Sequence, residues 1–171
     1  EFRIASSNIA GAQHGDVVLA EPLERQRAGA TEMRVVERVG PFGSAKTISL
    51  ISIHEHDIPD RFPQAALDQA EAARPVPLGD RTDLRDLPLV TIDGDDARDF
   101  DDAVWAAADT DPKNEGGHRL VVAIADVAHY VTSGDALDRE AHKRGNSVYF
   151  PDRVVPMLPE ALSNELCSLK P

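Results

Sequence analysis

Apolar and polar residues change rhythm twice along this chain. Up to about Ile53 the apolar positions come in short runs, at 2–4, 16–20, 33–39 and 47–53. These runs are rich in Val, Ile, Leu and Thr, and Gly15, Gly29, Gly40 and Gly43 punctuate them. Such a pattern predicts short strands joined by glycine turns, as in a small β-barrel or sandwich. Over residues 62–73 the period lengthens: Ala66, Leu67 and Ala70 share one stripe, and Pro63 stands where a first helical turn tolerates it. A helix is predicted there. Residues 74–80 hold two prolines and a glycine, which predicts a linker and a domain boundary. Beyond it, strands are predicted at 89–92, 103–107, 120–127 and 148–150, and a helix at 135–143 stopped by Gly145. The run from Leu120 to Ala125 has the length of a buried strand, and Trp105 reads as core. The fold class is α+β, a partial barrel followed by part of a mixed domain.

Composition narrows the setting. The 171 residues suffice for one medium domain, or a small one plus part of another. Hydrophobic residues make up 42%, enough for a packed core. No apolar run approaches membrane-spanning length, and the N-terminus lacks the basic and apolar regions of a signal peptide. The single cysteine, Cys167, has no disulfide partner in the chain, and no Cys/His zinc pattern occurs. These features favour the cytoplasm and no membrane partner. A start at Glu1 and a stop at Pro171 read as cuts from something longer.

Charge sharpens the picture. The net charge is −12, with 8 basic and 12 acidic residues in 1–80 and 10 and 18 in 81–171. A strong acidic excess argues against phosphate binding by the chain's own surface. The acid is concentrated between Asp93 and Asp102, where six aspartates accompany one basic residue, Arg98. Neighbouring carboxylates raise one another's pKa, and a cation relieves the crowding. Hard divalent ions such as Mg²⁺ take oxygen ligands, commonly one or two carboxylates plus substrate phosphate. Asp93 ends one predicted strand and Asp102 begins the next, with eight residues between them to turn the chain back. On a regular strand Asp99 and Asp101 face one side and Asp102 the other, unless a loop or bulge re-aims them. A solvated acidic loop and a calcium loop remain open, although the spacing is not that of an EF-hand.

The segment from Asp83 through Thr91-Ile-Asp-Gly-Asp-Asp-Ala-Arg-Asp-Phe-Asp-Asp-Ala-Val104 resembles the catalytic signature of the ribonuclease R / ribonuclease II (RNB) family. Val122-Ala-Ile-Ala-Asp-Val-Ala-His-Tyr-Val131, Arg144-Gly-Asn-Ser-Val-Tyr-Phe-Pro151 and the stretch from Pro156 through Leu162-Ser-Asn-Glu-Leu-Cys-Ser-Leu-Lys-Pro171 resemble the motifs that follow it. The wording is closest to the ribonuclease R branch. Upstream, Gly15-Asp-Val-Val-Leu-Ala-Glu21, Arg34-Val-Val-Glu-Arg-Val-Gly40 and Ile53-His-Glu-His-Asp-Ile-Pro59 look like the second cold-shock domain, an OB-type barrel, and its exit. The resemblance divides the chain into a partial cold-shock domain (1–57), a helix and linker (58–80) and the N-terminal part of the catalytic domain (81–171).

The resemblance implies hydrolysis of single-stranded RNA from a free 3′ end, releasing nucleoside 5′-monophosphates, with Mg²⁺, or Mn²⁺ in its place. By motif the catalytic aspartates are Asp93, Asp99, Asp101 and Asp102, with Asp93, Asp101 and Asp102 at the metal and Asp99 completing the cluster. Asp95, Asp96 and Arg98 match the intervening loop and receive no chemistry. Tyr149 matches the tyrosine that clamps the terminal nucleotide; by itself a lone tyrosine there is more often a half-buried strand residue. The chain departs from the family in Asp95, where glutamate is usual, and in Glu165, where glycine is common. The family's catalytic domain also continues beyond the last motif, and an S1 domain follows. The basic residues that grip the scissile phosphate belong to that part. Two other readings stand beside the enzyme: an RNA-binding module without cleavage, and a calcium-stabilised structural domain. His54 and His56 would share a strand face without a third ligand, while His129 and Asp126 read as structural and Cys167 as a small buried side chain.

Overall fold

The computed structural model describes residues 2–23, 30–95 and 97–170. Gly29 and Asp96, like Glu1 and Pro171, lie outside the described residues. The elements in chain order are β1 (Phe2–Ile4), β2 (Asp16–Pro22), β3 (Thr31–Pro41), α1 (Ala45–Glu55), α2 (Gln64–Ala72), β4 (Asp102–Ala108), β5 (His118–Ile124), α3 (Val127–Tyr130), α4 (Ala136–Arg144), β6 (Val148–Phe150) and β7 (Arg153–Val155). A π-helical turn, Ala161–Leu166, follows. The class is α+β, as the sequence pattern predicts. Two compact units result: one runs to Asp60 and takes in Val148–Val155, and the other is Arg61–Ser147 with the residues from Pro156. Among the described residues no helix is long and apolar enough to cross a membrane.

In the first unit β3 is central, with β1 parallel on one side and β2 antiparallel on the other. These strands form an open sheet and do not close a barrel. Register shifts at Val17/Val18 and Leu19/Ala20 bend β2 along β3. Residues 47–53 are a correction to the sequence reading: they form the middle of α1, not a strand. Their Thr and Ile content favours a strand, but Ser44 caps a helix, its hydroxyl accepting from the Thr47 N–H at 3.2 Å. Thr47, Ser49 and Ile53 are then buried while Ile48 faces out. The Ser49 hydroxyl bonds the Ala45 carbonyl at 3.0 Å and the Asp152 carboxylate, which ties the β6–β7 hairpin to α1. His54 and His56 accordingly lie on the last turn of α1 and its cap, not on a strand face.

The second unit has a small helical core. Ala66 and Ala70 of α2 meet Leu137 of α4 and Leu162 and Cys167 of the π-helical turn, all buried. Both predicted helices form, and their ends show why. Asp135 caps α4, accepting from the N–H groups of Asp138 (2.7 Å) and Thr132 (2.8 Å) and from Gln69 of α2 (2.7 Å). Gly145, at φ +77°, ends it in a backbone conformation that side chains resist. The Arg144 side chain is only 2% exposed and pairs with Glu140 at 2.9 Å. Its guanidinium also donates to the carbonyls of Pro156 (3.0 Å) and Arg61 (2.9 Å) and lies 3.7 Å from the Phe62 ring centre.

Beside this core, β4 and β5 pair antiparallel with Asp102 opposite Ile124 and Ala108 opposite His118. The strand predicted at 89–92 reduces to one antiparallel bridge, Val90 with Val104. The run from Leu120 is not a buried strand either. Leu120, Val122 and Ile124 are 67%, 50% and 71% exposed, because β5 alternates and only its other face is covered. Trp105 is half-buried rather than core, with the Arg119 guanidinium 6.0 Å from its ring centre.

Arg144→Ala strands the buried Glu140 carboxylate and is expected to cost about 3–5 kcal/mol in denaturant unfolding. Asp135 gives a pH signature. Burial pushes its carboxyl up, but the bonds from Asp138, Thr132 and Gln69 outweigh this and hold it well below the ordinary carboxylate range. A depressed pKa contributes stability at neutral pH that is lost as pH falls below about 4. Asp135→Asn is therefore expected to lower stability at pH 7 and to flatten the acid limb of the stability curve, and parallel acid limbs would contradict this.

Candidate active site

The register of β4 determines where the aspartates stand. Asp102 is its first residue, and the Ala125 N–H continues the β5 pairing by donating to the Asp101 carbonyl at 2.9 Å. On the other flank Val90 and Val104 exchange two backbone bonds, of 3.0 and 2.8 Å. Asp93 lies three residues beyond that bridge, and its charge reaches Asp101. Between them the chain reverses in a turn in which the Ala97 N–H bonds the Gly94 carbonyl at 3.0 Å. Asp99 returns with the descending limb.

The electrostatics match this geometry. Asp101 keeps solvent access, yet its carboxyl is raised above the ordinary range. Partial burial is the largest cause, and the charges of Asp99, Asp102 and Asp93 add to it. The charges of the other three aspartates thus all reach Asp101. Asp95 and Arg98 stand exposed on the same loop.

Among the described residues no three His, Cys, Asp or Glu side chains converge tightly enough to cage a metal by themselves. The donor set is all carboxylate oxygen. It suits a hard divalent ion that completes its shell with water and phosphate oxygens, as Mg²⁺ does.

A cavity of about 300 Å³ opens beside Asp99 and Asp101, walled by Ile124, Val127, Met157 and Leu158. Cys167 lines it too, and its thiol is pushed up by burial first and by Asp101 and Asp126 next, so it stays protonated. The sequence reading of Cys167 as a packing residue agrees. Asp126 has a structural partner in Arg81, at 2.7 Å, and the His129 ring meets Tyr130 edge-on. Glu165 needs no glycine-like backbone, since it lies in the π-helical turn and pairs with Lys170 at 3.1 Å. Tyr149 belongs to the first unit, on β6, and is 67% exposed.

One participant was not evident from sequence. The Phe100 N–H donates to the Ser168 hydroxyl at 3.0 Å, and that hydroxyl reaches the Arg98 carbonyl at 3.3 Å. The next residue, Leu169, donates its N–H to the Phe100 carbonyl at 2.8 Å. The only hint in the sequence is that Ser168 falls inside the last motif.

Comparison with known proteins gives two family matches. Residues 81–171 match the RNB domain family, and residues 1–63 match the cold shock domain. Ribonuclease R of Vibrio parahaemolyticus is 49% identical over 100% of this chain, which covers 21% of that protein. Ribonuclease R of Escherichia coli is likewise 49% identical over 100% of the chain and 21% of its own length. The chain thus spans about a fifth of these relatives. Among solved structures, Mycoplasma genitalium RNase R in complex with ribose-methylated single-stranded RNA superposes with a TM-score of 0.77 at 29% identity, over 99% of this chain and 27% of that one. The same protein in complex with double-stranded RNA gives 0.76 at 29% identity, over 99% and 30%.

The crowding at Asp101 has a measurable cost. A carboxyl with a raised folded-state pKa favours folding while protonated and loses that contribution as pH rises through the folded pKa. In metal-free protein, Asp101→Asn is expected to raise the thermal midpoint at pH 7 and to have little effect near pH 3. A variant less stable than the parent at pH 7 would show that the carboxylates are not crowded.

Proposed function

The chain belongs to the RNB-domain family, and on that footing we propose that it is the aspartate-bearing part of a 3′-to-5′ hydrolytic exoribonuclease acting on single-stranded RNA. The observation that supports this reading is that the charges of Asp99, Asp102 and Asp93 all reach the partly buried Asp101 carboxyl.

In the proposed reaction a water oxygen bonds to phosphorus and the bond to the 3′ oxygen of the preceding nucleotide breaks. Each cycle releases one nucleoside 5′-monophosphate and leaves a chain one nucleotide shorter with a 3′ hydroxyl. Asp93, Asp101 and Asp102 would hold Mg²⁺, or Mn²⁺, which when bound lowers the pKa of water and offsets charge on the leaving oxygen. Asp101 would also help to hold or activate the attacking water. Asp99 keeps the cluster negative enough to retain the cation. Tyr149, exposed on β6, is assigned to stacking on the terminal base, a contact indifferent to base identity.

The domain assignment in this proposal is residues 1–57 as partial cold-shock RNA-binding domain, 58–80 as helix and linker, and 81–171 as the first part of the catalytic domain. With a net charge of −12, this chain leaves phosphate neutralisation to other regions of the full-length protein. The proposal sets the protein in the cytoplasm, where it would act in RNA turnover. The relatives that carry the ribonuclease R name support it.

The full-length protein, given a 5′-labelled single-stranded RNA and Mg²⁺, is expected to produce a ladder shortening from the 3′ end. Chelation abolishes the ladder, and Asp101→Asn slows it at least about 100-fold. Retention of RNA by both proteins with no shortening by either would leave an RNA-binding module in place of an enzyme.

A further inference from the structure

Asp99 has no strand to hold it. Asp102 is paired with β5, and the Asp101 carbonyl is held by Ala125. The stretch from Asp93 to Asp101 is otherwise irregular, and its carboxylates repel one another. A loop under such repulsion spreads unless its backbone is fixed, because extended alternatives relieve the charge and regain conformational entropy.

We propose that Ser168 is the positioning residue for this loop: its single hydroxyl grips both peptide groups that flank Asp99 and so aims Asp99 and Asp101 into the cluster. The proposal rests on reading the cluster as the catalytic centre. The Arg98 carbonyl belongs to the peptide before Asp99, and the Phe100 N–H to the peptide after it. The Ser168 hydroxyl donates to the first at 3.3 Å and accepts from the second at 3.0 Å. With both peptide planes held, both backbone torsions of Asp99 are restrained. The Leu169 N–H then holds the Phe100 carbonyl at 2.8 Å, which fixes the peptide leading into Asp101.

The hydroxyl is itself rigidly based. Ser168 follows Cys167, which is buried in the helical core and whose N–H bonds the Leu162 carbonyl at 2.8 Å. The task demands one small group that donates and accepts at once. Serine and threonine satisfy it, alanine makes neither bond, and the thiol of cysteine makes both poorly.

The test compares the Ser168→Ala, Ser168→Thr and Ser168→Cys variants of the full-length protein, with Asp101→Asn in the same assay. Ser168→Ala is expected to lower kcat roughly 10- to 100-fold, as displacement of a catalytic group by about 1 Å does. KM and RNA affinity measured in chelator should stay within roughly twofold, since neither depends on carboxylate aim. Amide hydrogen exchange at Phe100 should quicken, and Ser168→Thr should recover most of kcat while Ser168→Cys does not. Should Ser168→Ala fail to fold, the contrast between Thr and Cys decides. An unchanged kcat in Ser168→Ala overturns the proposal. So does a joint fall of kcat, RNA affinity and thermal midpoint, or a Ser168→Thr variant no better than alanine. If Asp101→Asn is itself fully active, the exoribonuclease reading fails and the positioning role falls with it. If Asp101→Asn is inactive while Ser168→Ala is normal, only the positioning role is lost.

Discussion

Mutual repulsion among four carboxylates is the constraint around which the second unit is arranged. Partial burial pushes the Asp101 carboxyl toward its protonated form, and the charges of Asp99, Asp102 and Asp93 push it further. Left to itself, such a loop would open. It is kept closed by backbone pairing, a force indifferent to the charge of the side chains. Val90 and Val104 close one flank, Ala125 the other, and Ser168 with Leu169 the third. The helical core of α2, α4 and the π-helical turn matters to the chemistry because it is the foundation for that third support. In the proposed function a divalent cation would relieve that crowding.

How far this was legible from the sequence depended on whether the deciding contact was local. The aspartates were conspicuous because six of them lie within ten positions, so no tertiary information was needed to suspect a cation. Helices α2 and α4 were legible because Pro63, Asp135 and Gly145 mark their ends in the sequence itself. Residues 47–53 were not, since Thr and Ile favour a strand while the outcome turned on the Ser44 cap and on burial of Thr47 and Ile53. Ser168 was invisible for a stronger reason. Its partner Phe100 is 68 residues away, and nothing in composition or period links a serine to a distant peptide N–H. The exposure of Leu120, Val122 and Ile124 was hidden likewise, because a β-strand's own sequence does not say which of its faces is covered.

The two units divide labour in a way their charge already suggests. The first unit is a sheet of short strands carrying paired surface charges, Arg34 with Glu21 and Arg38 with Asp16. The second concentrates acid at a single turn and sets an apolar cavity beside it. Residues 1–80 and 81–171 both carry an acidic excess, and the chain spans about a fifth of its relatives, at 21%. In this account the residues present supply the acidic half of a phosphoryl-transfer site, and the positive half lies elsewhere in the full-length protein.

The central claim is that the four aspartates form one cation-dependent centre, and a Mn²⁺ titration followed by electron paramagnetic resonance tests it most directly. The full-length protein would be titrated with a bound non-cleavable RNA, alongside Asp93→Asn and Asp102→Asn variants. The account predicts saturable Mn²⁺ binding in the parent and marked weakening in each variant, although the two aspartates lie nine positions apart. Mn²⁺ affinity unchanged by either substitution would contradict it, and would return the cluster to the status of a solvated acidic loop.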